Sequence, residues 1–231
     1  MKLSQHGENL FQLTLWGAFN CYLVREADGL TLIDALMAGR GNDILAAATE
    51  LGQPIRRVLL THAHTDHVGA LDEIAAALPE AEFLFTARTE QFLRGDVRLE
   101  PGEPEAPIKG GFSRRETAAT AYLRPGQPVG SLLPIAAPGH SPDHTAFLDT
   151  RDNSLIAGDA FQTKGGIAVS GTVRLLFPFP GMATWHKPTA LATAQQLAEL
   201  APSRLAVGHG PVLEMPLPAM QKAMARAGRG V

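Results

Sequence analysis

The stretch "LLTHAHTDHVGA" (59–70) sets three histidines and an aspartate within six residues, directly behind an apolar run. Polar groups at the end of a buried strand cost free energy unless something answers them. Histidine nitrogens and carboxylate oxygens are the donor set of zinc and other first-row divalent ions. His62 and His64 are two residues apart, so in an extended chain they point to the same side. Asp66 and His67 follow where the chain must turn into the next helix, which aims them at a second point close by. A strand-to-helix junction suits such ligands, because the strand fixes their position and the loop leaves them reachable.

Matching side chains recur far along the chain. "APGHSPDH" brings His140, "LIAGDAF" brings Asp159 and "LAVGHGP" brings His209, each as an apolar strand, a glycine and then a metal-binding residue. The glycine lets the backbone turn sharply at the strand end. A scatter of structural histidines predicts no such shared placement. His144, in "HSPDH", is read as a structural residue or a support for the ligands. His6 and His186 are read as solvated, and Cys21, in a strand pattern, as a buried inert thiol.

Periodicity places these motifs on a mixed α/β chain. Strands are expected at 10–16, 20–26 and 30–36, with a hairpin turn at "ADG" between the last two. A helix follows with Asn42 as N-cap, stopped by Gly52 and Pro54. A strand at 56–61, a helix at 71–78 and a strand at 82–87 complete the first half. The region 94–130 is rich in Pro, Gly and charge, with a short helix-like patch near 115–123. It reads as a lid or insert or as a disordered excursion, with a partly ordered surface segment near the site favoured. Strands resume at 132–138, 145–150, 154–158 and 204–208. Helices are expected at 187–200, with Pro188 in the first turn, and at 217–227. The chain is read as one domain over 1–231.

Composition narrows the function classes. A net charge of −3 gives no general attraction to phosphates or anionic lipid, so neither nucleic acid nor a membrane surface is an expected partner. No apolar run approaches the roughly 20 residues of a membrane span, and the opening "MKLSQHGENL" has no signal-peptide core. With a single cysteine no intramolecular disulfide can form. The expectation is a soluble cytoplasmic protein acting on a small molecule. The apolar, turn-rich "VRLLFPFPGMATWH" (173–186) is read as a packed loop, a wall of the substrate groove or part of a dimer surface, which leaves a homodimer open.

The pattern H-x-H-x-D-H, followed by a later His, Asp and His, resembles the metallo-β-lactamase-fold hydrolases, and the resemblance runs from "LID" at Asp34 to "GHGP" at the end. It implies a four-layer αββα sandwich and two divalent ions, zinc ahead of iron or manganese. By that resemblance His62, His64 and His140 hold one ion, Asp66, His67 and His209 hold the second, and Asp159 bridges them. Asp66 would also orient the attacking water. Asp34 is expected to accept from the remaining ring nitrogen of a ligating histidine.

The implied reaction is attack by a metal-bridging hydroxide on an ester, thioester or lactone. Lactonases of this fold carry tyrosine where this chain has Gln162, and glyoxalase II relatives usually add a C-terminal helical domain. Glyoxalase II-like thioesterase, β-lactamase and phosphodiesterase activities therefore stay as alternatives. A metal-bound protein that works by binding, without turnover, is the alternative of a different class. No substrate-binding residue is identified.

Overall fold

Short apolar runs such as "LFQLTLW" (10–16), "NCYLVRE" (20–26) and "LTLID" (30–34), separated by turn residues, fill the first part of the chain, and runs of that length favour strands. The computed structural model describes residues 1–229. The chain divides into two compact units, Met1–Asp96 with Phe112–Arg124 and Val97–Gly111 with Pro125–Val231.

In the first unit β1 (Lys2–His6), β2 (Leu10–Leu15), β3 (Phe19–Glu26) and β4 (Gly29–Ile33) form an antiparallel meander. Helix α1 (Gly41–Glu50) returns the chain so that β5 (Ile55–Leu59) lies parallel to β4. Short helices α2 (Thr65–Val68) and α3 (Leu71–Ala77) lead into β6 (Glu82–Phe85), and α4 (Ala87–Leu93) precedes β7 (Ala121–Tyr122). The seven strands pair in sequence order, with β4 to β7 parallel. Leu23, Leu32, Ile33, Val58 and Leu59 are fully buried in this sheet. Each such side chain contributes about 1.5–3 kcal/mol of burial.

Several expectations fail here for physical reasons. The N-cap of α1 is Arg40, not Asn42, and it makes no side-chain cap bond. Glu73 on α3 supplies the acceptor, taking the N–H groups of Gly39 at 2.6 Å and Gly41 at 3.0 Å. The strand expected to reach residue 36 stops at Ile33, because Asp34 (φ 63°) and Leu36 (φ 52°) are left-handed. The patch near 115–123 is extended, not helical. Asp72 Oδ1 draws in its backbone, accepting from Glu116 N at 3.1 Å, Thr117 N at 2.8 Å and Thr117 Oγ1 at 2.6 Å. Those bonds replace the helical ladder. Strand β1 is polar and α4 is short, and neither showed a clear periodicity. Thr86 caps α4 by accepting from Thr89 N at 3.0 Å.

The second unit carries β8 (Leu132–Ala136), β9 (Thr145–Asp149) and β10 (Ser154–Ile156), then a 3-10 turn at Gly158–Ala160. The hairpin β11 (Phe161–Gln162) and β12 (Ala168–Val169) and the short α5 (Phe179–Met182) follow. Helix α6 (Lys187–Glu199), β13 (Arg204–Ala206), β14 (Leu213–Glu214) and α7 (Leu217–Ala227) end it. The sheet order is β14-β13-β10-β9-β8. Ala194, Leu197, Met220 and Ala223 of α6 and α7 cover one face, against Ala146, Leu155 and Leu205. The mixed α/β expectation therefore holds in both units. Among the described residues no helix is long and apolar enough to cross a membrane.

Cys21 on β3 is fully buried, and burial, helped by the negative charge of Asp34, pushes its thiol well above the usual range. The folded state then keeps a proton that the unfolded chain releases above about pH 8.5. Folding stability should fall more steeply with pH for the wild type than for Cys21→Ala between pH 8 and 10, measured by denaturant unfolding. Equal slopes would contradict the buried thiol.

Candidate metal centre

Parallel pairing decides which side chains leave a sheet together. In the first unit Ile33 of β4 pairs with Leu59 of β5, so Asp34 and the segment from Thr61 emerge at the same end of the sheet. His62 lies in the loop after β5, His64 is the N-cap of α2, and Asp66 and His67 lie within α2. His62, His64 and His67 are almost completely buried. His62 Nε2 is 3.0 Å from His64 Nδ1, and His67 Nε2 is 3.9 Å from a carboxylate oxygen of Asp66. Asp66 is the most exposed of the four.

Asp34 organises this group. Its carboxylate is buried and accepts from Thr61 N at 2.8 Å, Thr61 Oγ1 at 2.7 Å and His67 Nδ1 at 2.7 Å. A carboxylate can only accept, so the Thr61 hydroxyl proton and the His67 ring proton both point at Asp34. Thr61 Oγ1, its proton committed, must then accept from His62 Nδ1 at 3.0 Å. One aspartate thus fixes two histidines with their protons on Nδ1 and lone pairs on Nε2, the form in which imidazole binds a metal.

The second unit repeats the logic. Ile156 of β10 pairs in parallel with Ala206 of β13, and Asp159 and His209 each follow three residues later. Strand β9 runs antiparallel to β10 and to β8, with Thr145 opposite Ala136. His144 before β9 and His140 after β8 therefore reach the same end. His140, His144, Asp159 and His209 are all buried. Asp159 Oδ2 lies 3.3 Å from His140 Nε2 and 3.1 Å from His209 Nε2.

Thr184 fixes the tautomer of His140. Its hydroxyl donates to the Pro180 carbonyl at 2.8 Å, so it can only accept from His140 Nδ1, 3.3 Å away. His140 Nε2 therefore presents a lone pair towards a carboxylate oxygen. Two acceptors at that distance repel, and positive charge between them, from a metal ion or an added proton, removes the repulsion. The donor set, imidazole nitrogens around a shared carboxylate, fits divalent zinc or iron.

Backbone bonds hold the ligands. Asp159 N donates to His144 Nε2 at 3.0 Å, and Ser170 Oγ donates to the Asp159 carbonyl. His144 thus meets the bridging candidate through its backbone. Gly139, before His140, has φ 135°, and a Cβ there would sit 2.4 Å from Ala190 backbone atoms. At His209 the demanding glycine is the following one: Gly210 has φ 110°, and its Cβ would meet Lys164 N at 2.2 Å. The strand–glycine–ligand pattern is thus correct at His140 and displaced by two residues at His209.

Sequence reading missed the supporting residues. Thr61 and Thr184 set tautomers, and no spacing marks a lone threonine for that task. Phe112 pairs with His64 in an isolated backbone bridge and meets its ring edge-on at 4.8 Å between centroids. Phe177 lies 5.2 Å from the His209 ring, held by Gln162 Nε2 donating to its carbonyl at 3.1 Å. His186, expected in solvent, is half buried and caps α6 by accepting from Thr189 N at 3.4 Å.

A family model described as the metallo-beta-lactamase superfamily matches residues 15–209. The chain is 47% identical over 234 residues to an uncharacterized protein of Bacillus subtilis strain 168, YobT, with 100% of both covered. It is 28% identical over 165 residues to atrochrysone carboxyl ACP thioesterase AgnL7 of Paecilomyces divaricatus, with 71% of this chain and 45% of that one covered. Among solved structures, TTHA1623 in a di-iron-bound form is similar at a TM-score of 0.67 and 27% identity, with 90% of this chain and 96% of that one covered.

Long-range 1H–15N spectra of the protein stripped of metal should show His62 and His67 with Nδ1 protonated. Asp34→Asn should redistribute the His67 proton while the fold persists by circular dichroism. A wild-type spectrum with the His67 proton on Nε2 would contradict the role given to Asp34.

Proposed function

The chain belongs to the metallo-beta-lactamase superfamily, and we propose that within it this protein is a dinuclear metallo-hydrolase cleaving thioesters, with esters and lactones as related substrates. The observation that carries the reading is the Asp159 oxygen faced by the Nε2 atoms of His140 and His209, one of them a fixed lone pair. In this proposal His62, His64 and His140 would hold one ion, Asp66, His67 and His209 would hold the other, and Asp159 would be shared between them. A bound pair of such ions acidifies water towards neutrality and polarises a carbonyl.

The chain's own residues supply the rest. Asp34 and Thr61 keep His62 and His67 presenting Nε2. Thr184 does the same for His140. Asp66, the ligand candidate least enclosed by protein, is placed to orient the attacking water and take its proton. A thiolate is a leaving group with a pKa of about 8.5, so its departure near neutral pH asks for little proton donation. This favours a thioester, and the similarity to a named thioesterase supports it. The di-iron structure of a similar protein brings iron level with zinc as the resident metal.

Purified protein should carry close to two metal equivalents per chain and hydrolyse simple acyl thioesters, with chelation abolishing turnover. Asp159→Ala should lower metal content and remove activity while the chain stays folded. Retention of full turnover in that variant, or after chelation, would overturn the reading.

A further inference from the structure

Loop 173–182 breaks the ordinary pattern of a protein surface. Leu175 is 95% exposed and Leu176 85%, and Phe179, Met182 and Val173 are also exposed. A contiguous exposed apolar run of this kind marks a place where something binds. The loop is nevertheless firmly held. Gln162 Nε2 bonds the Phe177 carbonyl at 3.1 Å, Arg174 donates to the carbonyls of Gly166 at 3.2 Å and Ile167 at 2.7 Å, and Thr184 closes on Pro180 at 2.8 Å. Arg174 is the only charged residue between 171 and 183, and its guanidinium is turned onto backbone. What the loop offers outward is hydrocarbon.

The loop is also continuous with the proposed centre. Phe177 lies 5.2 Å from the His209 ring, and Phe179 stacks edge-on to Phe177 at 5.4 Å. An apolar path therefore runs from a metal-ligand candidate through a buried ring to an exposed one. A ligand reacting beside His209 would lay any non-reacting tail along it. A charged or sugar-like tail would find no partner there. An alkyl chain would bury both its own surface and that of Leu175, Leu176, Phe179 and Met182.

We propose that loop 173–182 seats the apolar acyl chain of the substrate, so that the thioesters or esters taken are those of medium or longer alkanoic acids. This rests on the hydrolase reading above for its choice of occupant. Each methylene buried along the loop should raise kcat/KM by up to about fourfold.

The experiment compares acetyl, butyryl, hexanoyl and octanoyl thioesters of N-acetylcysteamine with the metal-replete wild type and with the double variant Leu175→Ser, Leu176→Ser. The two leucines are so exposed that the substitution leaves the core untouched. The octanoyl-to-acetyl ratio of kcat/KM should be large in the wild type and fall at least tenfold in the variant. Calorimetry adds a readout without turnover: the octanoyl ketone analogue should bind metal-free wild type at least tenfold tighter than the variant. Equal ratios and equal binding would overturn the proposal while leaving hydrolysis standing. Binding that favours the wild type without turnover of any thioester would uphold the seat and sink the hydrolase reading. A wild-type dimer that the double variant splits, seen by sedimentation, would give the loop to a second copy of the chain and overturn the proposal.

Discussion

The candidate centre depends on one buried carboxylate. Asp34 stands in a left-handed conformation at the end of β4 and accepts hydrogen bonds from Thr61 N, Thr61 Oγ1 and His67 Nδ1. Leaving any one of those buried donors unanswered costs about 1–3 kcal/mol, so the three bonds hold the strand end and the histidines as a unit. The left-handed backbone at Asp34 is held by these three hydrogen bonds of its carboxylate. The tautomers of His62 and His67 follow from that carboxylate, while that of His140 follows from Thr184.

Parallel register does the corresponding work at longer range. The pairing of Ile33 with Leu59 and of Ile156 with Ala206 brings residues far apart in sequence out at a common sheet end in each unit. Neighbouring parallel strands end together, and polar groups gathered there stay outside the ladder they would otherwise disrupt. At Gly139 glycine is required by close approach, because its backbone packs against α6.

Much of this was legible in the sequence, and unevenly. The ligand candidates are rare residue types at strand ends, so His62, His64, Asp66, His67, His140, Asp159 and His209 declare themselves by chemistry. Asp34 is visible because it closes an apolar run. Strands and long helices follow their periods. What stayed hidden depends on tertiary contact: Glu73 capping α1 from another helix, Asp72 pulling 115–117 into extended chain, and His186 capping α6. Thr61 and Thr184 act through a single hydroxyl proton whose direction only the neighbours determine. Phe112 and Phe177 look like any core aromatic until their rings are found against His64 and His209.

The central claim is that these histidines and carboxylates serve as the ligands of two metal ions. Anomalous diffraction at the zinc and iron absorption edges, from crystals of protein as purified, addresses it directly. The account predicts two peaks about 3.5–4 Å apart with Asp159 touching both. A single peak, or ions bound away from His62, His140 and His209, would contradict it.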